Sequence, residues 1–386
     1  MSVSGEGLLA KARAFAPELT ARAREFEDAR RLPADMAQKF AEAGLMGMLA
    51  PAAYGGGETD PLTFLDVVET LATADGSAAW CVFIGATSGV TAAYLPEHTA
   101  REIYRPGVIT GGVFAPRGKA ADRGDGTYEV AGRWQWGSGT QNAAWIMGGC
   151  LVTRDGKPEM LPSGLPNMRM FLLPKDKVTF HDTWHVSGLK GTGSTDIEFR
   201  PQTIHRDYSV GLTSDTPLAR PLYAFPVFGL LTIAIGGVAL GLARGAIDAL
   251  VELAGGKTPE GHRRPLGQRA ETQEKVAEAE ALVRSARSWL RESVAAAWET
   301  AQRDGRLTIE QRRDIRLATT HGTRAAARAV DLMYNLGGGS SVYDSSRLQR
   351  CFRDVHVATQ HMLVGTPTLE LTGKLFLGLD AETSQL

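Results

Sequence analysis

Three stretches of different character follow one another along this chain, helical, then strand-rich, then helical again, and that order admits few architectures. Up to about residue 107, apolar residues recur at helical spacing with short breaks. Leu8 to Arg31 is amphipathic, Pro33 opens a second helix running through Met48, and Pro61 to Ala74 resumes the pattern. Ser77 to Tyr94 is apolar all round, which marks a fully buried helix. Ala53-Tyr54-Gly55-Gly56-Gly57 reads as a loop, because consecutive glycines lose too much entropy inside a helix. Between 108 and 215, prolines and turn pairs such as Gly124-Asp125-Gly126 separate short runs rich in Val, Ile, Thr and aromatics. Tyr128 to Trp136, Trp145 to Val152, Arg169 to Leu173 and Asp196 to Arg200 read as strands of a small barrel or sandwich. From 216 to 386 the chain is helical again.

The longest of these last helices, Gln268 to Arg303, sets Val276, Val283, Leu290 and Ala297 seven residues apart, with Ala279 and Ala286 in the alternate positions. That is a narrow seam suited to close helix packing, and it predicts a homotetramer built through the C-terminal helices. His356 is placed on the final helix. Pro221 to Ala243 is long and uncharged enough to span a membrane, yet Pro226 and interspersed glycines favour a buried helix. The N-terminus has no apolar signal core, so the expectation is a cytoplasmic protein with no membrane partner. With 42 Lys and Arg against 43 Asp and Glu, no basic surface is indicated, and nucleic acid is not an expected partner.

Local motifs narrow the chemistry. Gly132-Arg133-Trp134-Gln135-Trp136-Gly137-Ser138-Gly139 ends a Trp-rich strand in small residues, so backbone and a hydroxyl can approach a flat ligand. The plain alternative is a tight strand end with both tryptophans as packing. Trp184-His185-Val186-Ser187-Gly188-Leu189-Lys190-Gly191-Thr192-Gly193-Ser194-Thr195-Asp196 offers N–H and hydroxyl donors to a ring edge or phosphate, or is simply a polar turn. Arg264, in Arg263-Arg264-Pro265-Leu266-Gly267, could clamp a phosphate or sit solvated at a helix start. The pair Arg353-Asp354 reads as an internal ion pair. Cys81, Cys150 and Cys351 are scattered among apolar neighbours and read as buried, inert thiols. His181, His185 and His205 are irregularly spaced and make no metal set.

Taken together, these motifs resemble the acyl-CoA dehydrogenase superfamily over nearly the whole chain. Ala50-Pro51 followed by Tyr54-Gly55-Gly56 is similar to its early turn. The resemblance implies an α+β fold with an N-terminal helical domain (1–107), a central β-barrel (108–215) and a C-terminal four-helix bundle (216–386). Val113-Phe114-Ala115-Pro116-Arg117-Gly118-Lys119-Ala120 replaces the Thr-Glu-Pro stretch of the dehydrogenases, and Val364 stands where many keep a glutamate base before Gly-Thr. With the Trp-x-Ser-Gly ending and Gly-Leu-Lys-Gly-Thr-Gly-Ser, the chain is similar to the flavin-dependent two-component monooxygenase branch. That branch includes the oxygenase components of p-hydroxyphenylacetate hydroxylase and of a secosteroid phenol hydroxylase, and dibenzothiophene monooxygenase.

This resemblance implies reduced FMN or FAD as co-substrate, a separate NAD(P)H-flavin reductase as partner, O2, and passage through a hydroperoxyflavin to oxygenate a small aromatic or polycyclic substrate. Residue by residue, Ser138 matches the serine beside flavin N5, and His361 matches the late histidine facing flavin and substrate. Trp136 would flank the ring, Thr192 and Ser194 would line the flavin or its phosphate, and Arg264 would bind phosphate across a subunit contact. The helix Ser77 to Tyr94 and Phe225 to Leu231 would wall the pocket. A histidine that several phenol hydroxylases of the branch keep is missing from Ile84-Gly85-Ala86-Thr87-Ser88-Gly89. Positions 356 and 361 would point ~140° apart on one helix, so His356 is expected to serve stability and His361 the reaction in a pKa range near neutrality. Two rival readings are an acyl-CoA dehydrogenase with a relocated base and a non-catalytic flavin-fold binding protein.

Overall fold

The computed structural model describes residues 5–386. Five helices come first: α1 (Gly5–Ala29), α2 (Ala34–Glu42), α3 (Pro61–Ala74), α4 (Gly76–Gly89) and α5 (Glu97–Ile103). α2 starts just after Pro33 and stops well short of Met48, because the chain turns at Gly44 with φ +83°, a conformation glycine adopts without a steric penalty. Asp60 caps α3 by accepting from the N–H groups of Leu62 and Thr63. Asp75 caps α4 in the same way through Ala78 N–H, and nearly every residue of α4 is buried.

The middle of the chain supplies β1 (Thr110–Asp122), β2 (Thr127–Trp134), β3 (Trp145–Arg154), β4 (Lys157–Pro158), β5 (Met168–Pro174), β6 (Thr179–His181), β7 (Asp196–His205) and β8 (Ser209–Val210). They form one eight-stranded sheet in the order β6-β7-β2-β1-β3-β5-β8, with β4 on β3. The expected barrel or sandwich is therefore a single sheet with an open hydrogen-bonded path, edged by β6 and β8. β1 pairs parallel with β3, and its register shifts between Val113 and Gly118. Pro116 falls inside that irregularity, where a missing N–H does not break a ladder bond. This is why the segment did not read as a strand in the sequence.

At the centre of the sheet, Trp134 is fully buried and its indole N–H donates to the Gly149 carbonyl at 2.7 Å. Its ring occupies a slot left by glycines on neighbouring strands. A Cβ at Gly118 would lie 2.3 Å from the indole, and one at Gly148 would lie 2.7 Å from it.

Helices α6 (Val227–Gly256), α7 (Ala270–Asp304), α8 (Ile309–Gly337), α9 (Arg347–Ala358) and α10 (Thr366–Phe376) complete the chain. The seam on α7 is buried from Ala279 through Val283, Ala286, Leu290, Val294 and Ala297. It packs inside the chain: a Cβ on Gly236 of α6 would sit 3.0 Å from Leu290, and one on Gly322 of α8 would sit 3.9 Å from Ala286. The seam is thus consumed within one subunit and is not free to join subunits, which corrects the route expected for assembly. Two helical stretches are long and apolar enough to cross a membrane, Val227–Gly256 and Gly76–Ala93, where the sequence pointed to one, and the most apolar 18-residue windows within them are 89% and 94% buried in the protein itself. The main apolar core runs through helices and sheet alike, and a smaller cluster around Tyr54, Ile103, Met147 and Leu172 joins α5 to the other face of the strands.

Candidate active site

The strand end after β2 separates its two tryptophans by role. Trp134 is packing. Trp136 is 59% exposed and adopts φ +68°, an uncommon backbone state for a bulky residue. The Arg117 guanidinium lies 5.2 Å from its ring centre, which leaves one indole face against a cation and presents the rest to the surface. Arg117 was quoted in the sequence but not assigned a role, since the pairing is visible only once β1 and β2 lie side by side.

Behind Trp136 the chain turns through Gly137 and Gly139, whose N–H groups donate to the carbonyls of Thr195 and Thr192. This brings Ser138 against the second motif. Ser138 Oγ lies 2.5 Å from Ser194 Oγ, Ser194 Oγ lies 2.6 Å from Thr192 Oγ1, and Thr192 Oγ1 donates to the Leu189 carbonyl at 2.8 Å. All three hydroxyls are buried. Three of the residues singled out from sequence are therefore one relay, with Thr192 and Ser194 standing behind Ser138. Ser138 and Gly139 open onto a small cavity lined by Cys81, Ile84, Gly85 and Ile109, and a larger cleft past Tyr54 and Pro106 meets it at Met46 and Thr110. α4 is the wall expected there. Phe225 to Leu231 does not line this cavity.

The relay rests on an anchor that the sequence reading assigned differently. Arg353 and Asp354 do not pair with each other. Arg353 reaches Glu27 of α1 at 2.7 Å and the Ser187 carbonyl at 2.6 Å, while Asp354 accepts the Leu189 N–H at 2.6 Å. Leu189 is held at φ +49° with its N–H on Asp354 and its carbonyl on Thr192. Burial pushes the Asp354 carboxyl up to about 7.

His361 and His356 are not on one helix. α9 ends at Ala358 and His361 lies in the turn beyond it, while α10 follows as the last helix. His356 Nε2 is 2.8 Å from Asp331 of α8 and its ring packs on Phe352, so it ties α9 to the bundle. His361 packs against Trp80 of α4 with ring centres 5.9 Å apart. Its Nδ1 accepts the Leu363 N–H at 3.2 Å, which leaves the proton of the neutral ring on Nε2. Although its side chain keeps some exposed surface, burial of the ring and then the Arg316 charge push its pKa down to about 4. The near-neutral pKa expected from sequence is corrected: at neutral pH His361 is an uncharged N–H donor. Neither Arg316 nor Trp80 was singled out in the sequence, where no spacing rule links positions so far apart.

Arg264 lies exposed in the loop between α6 and α7 and has no hydrogen-bond or ionic partner among the described residues. The structure does not bring it to Ser138 within one subunit. The three cysteines are buried and free, and burial raises their thiols to about 12, 12 and 11. His181 faces Glu198 and His185 lies near Asp182, each with its own carboxylate.

Set beside known proteins, residues 5–111 match the family "Acyl-CoA dehydrogenase, N-terminal domain" and residues 233–365 match "Acyl-CoA dehydrogenase, C-terminal domain". The chain is 33% identical to indole-3-acetate monooxygenase of Pseudomonas putida, over 93% of this chain and 90% of that one. The chain belongs to the flavin-dependent monooxygenase branch of the acyl-CoA dehydrogenase superfamily. It is also 28% identical to the flavin-dependent monooxygenase, oxygenase subunit HsaA, of Rhodococcus jostii, over 90% of this chain and 92% of that one. The crystal structure of 3-HSA hydroxylase from Rhodococcus sp. RHA1 superposes with a TM-score of 0.91 at 25% identity, covering 98% of this chain and 99% of that one. The residues present in this monooxygenase fit a flavin: an exposed indole at a strand end, a buried hydroxyl relay ending at a cavity, and an apolar helical wall.

Proposed function

We propose that this flavin-dependent monooxygenase inserts one oxygen atom of O2 into a small, flat aromatic substrate, using reduced FMN or FAD delivered by a separate NAD(P)H-flavin reductase. The observation that carries the reading is the Ser138–Ser194–Thr192 relay opening on a cavity walled by α4. Support for the aromatic substrate comes from that apolar wall and from the substrates named for the similar enzymes. When bound, reduced flavin supplies the two electrons that activate dioxygen. Everything else falls to the chain. Trp136, backed by Arg117, flanks the ring, and Ser138 holds the ring edge. Ile84, Ile109 and the buried face of α4 exclude water, whose entry favours loss of peroxide. His361 directs its Nε2–H at an oxygen of the substrate or the oxidant. Arg264 takes the flavin phosphate, in an assembly where a second subunit closes the site.

That assembly is a homotetramer, and the protein works in the cytoplasm. Exposed Phe376, Leu377, Leu379 and Met362 at the C-terminal end support burial against another copy. The competing activity, dehydrogenation of an acyl-CoA, is disfavoured by Val364, which cannot act as a base. One experiment tests the reading. Protein and reduced flavin, mixed anaerobically and then given oxygen with a panel of aromatic acids, phenols and indoles, should yield a product heavier by one oxygen. An acyl-CoA that reduces bound oxidised flavin without oxygen would overturn it.

A further inference from the structure

The hydroxyl relay has only one consistent direction. A carbonyl oxygen carries no proton, so the 2.8 Å contact between Thr192 Oγ1 and the Leu189 carbonyl must use the single Thr192 proton. Thr192 can then only accept from Ser194 across 2.6 Å, and Ser194, its proton spent, can only accept from Ser138 across 2.5 Å. Asp354 fixes the far end by holding the Leu189 N–H, so this carbonyl keeps its place. Ser138 therefore turns its proton inward and presents bare lone pairs to the cavity shared with Cys81 and Ile84. The Cys81 thiol does not alter this, because its own contact runs to the Thr192 carbonyl at 3.7 Å.

We propose that Thr192 and Ser194 are positioning residues that polarise Ser138 as a hydrogen-bond acceptor and so make the site select the reduced over the oxidised flavin. The inference rests on the flavin reading of the site and on Ser138 facing the ring's N5. A reduced flavin carries an N–H at N5 and meets the lone pair of Ser138. An oxidised flavin carries a lone pair there, and two acceptors then face each other. Leaving a buried acceptor unmatched costs roughly as much as a hydrogen bond is worth, which corresponds to about five- to tenfold in affinity. In this reading the loop chemistry, and not ring stacking, tells the two redox states apart and lets spent flavin leave.

The test is the ratio of dissociation constants for oxidised and photoreduced FMN and FAD, measured by equilibrium binding under anaerobic conditions. Wild type should favour the reduced form. Thr192→Val removes the proton sink while keeping the shape, which lets Ser194 donate to Ser138 and Ser138 donate to the cavity. The ratio should fall about fivefold or more, chiefly because oxidised flavin binds tighter. Thr192→Ser should keep the wild-type ratio, and Ser194→Ala, which breaks the relay at its middle, should lower it. A purely structural role would weaken both redox states together and leave the ratio unchanged. Folded variants, checked by circular dichroism, with a ratio within about twofold of wild type would overturn the inference. Wild type binding neither form would overturn the flavin reading itself, a different result from an unchanged ratio.

Discussion

At neutral pH the His361 ring is uncharged. With Nδ1 accepting from Leu363 and a pKa pushed down to about 4, the ring gains its second proton only in strong acid, whereas an unfolded chain would gain it near 6.5. The rate of product formation should therefore show no ionisation near pH 6.5 that disappears in His361→Gln, a variant that keeps an N–H donor. Such a limb, lost on substitution, would show that His361 acts as an acid instead. His361→Ala, which removes the N–H donor, should lose roughly 10²-fold in product formation while folding normally. By contrast, His356→Ala should leave turnover in place and lower thermal stability, because it cuts the link from α9 to Asp331. Short motifs in the sequence singled out Ser138 and His361 as candidates, and the structure joins Ser138 to Thr192 and Ser194. The state of His361 was not legible there, because Trp80 and Arg316 act on it from hundreds and tens of positions away.

At the scale of elements, two features link local sequence to packing. The first is the slot around Trp134. Gly148→Ala would place a Cβ 2.7 Å from the indole, so the ring must shift against its own hydrogen bond to Gly149. Overpacking of this kind costs about 1–3 kcal/mol, readable as a lower denaturation midpoint, and an unchanged midpoint would contradict the slot. The second is the buried pair of carboxyls that hold the relay loop and α4. Burial raises Asp354 to about 7 and Asp75 to about 6, from 3.8. Between those values the folded chain binds a proton that the unfolded chain has lost, so stability falls as pH rises from about 4 to 7. Asp354→Asn keeps an oxygen for the Leu189 N–H and should lose less stability than wild type between pH 5 and 8, measured by denaturant unfolding. Equal losses would assign the slope elsewhere. Helix α3 was readable from its helical spacing and α4 from being apolar all round, while β1 was not, because Pro116 and its glycines mimic a loop until β2 and β3 flank them.

Across the whole molecule, the order of helices, sheet and helices was plain from sequence, since each stretch keeps one periodicity for many residues. What the α7 seam packs against was not, because an apolar stripe fits an internal neighbour as well as another subunit. The proposed assembly would draw instead on the exposed C-terminal residues. Leu377→Glu, at a side chain that touches little in one subunit, should lower the mass seen by light scattering at micromolar concentration, and a monomeric wild type would exclude the tetramer. The central claim is that Ser138 guards activated oxygen for an aromatic substrate. Its most direct test is a single turnover with limiting reduced flavin and isotopically labelled O2, comparing wild type with Ser138→Ala. Wild type should place one labelled atom in the product with little hydrogen peroxide. Ser138→Ala should bind reduced flavin yet divert several-fold more of the label to peroxide. The same ratio of product to peroxide in both proteins would contradict the account.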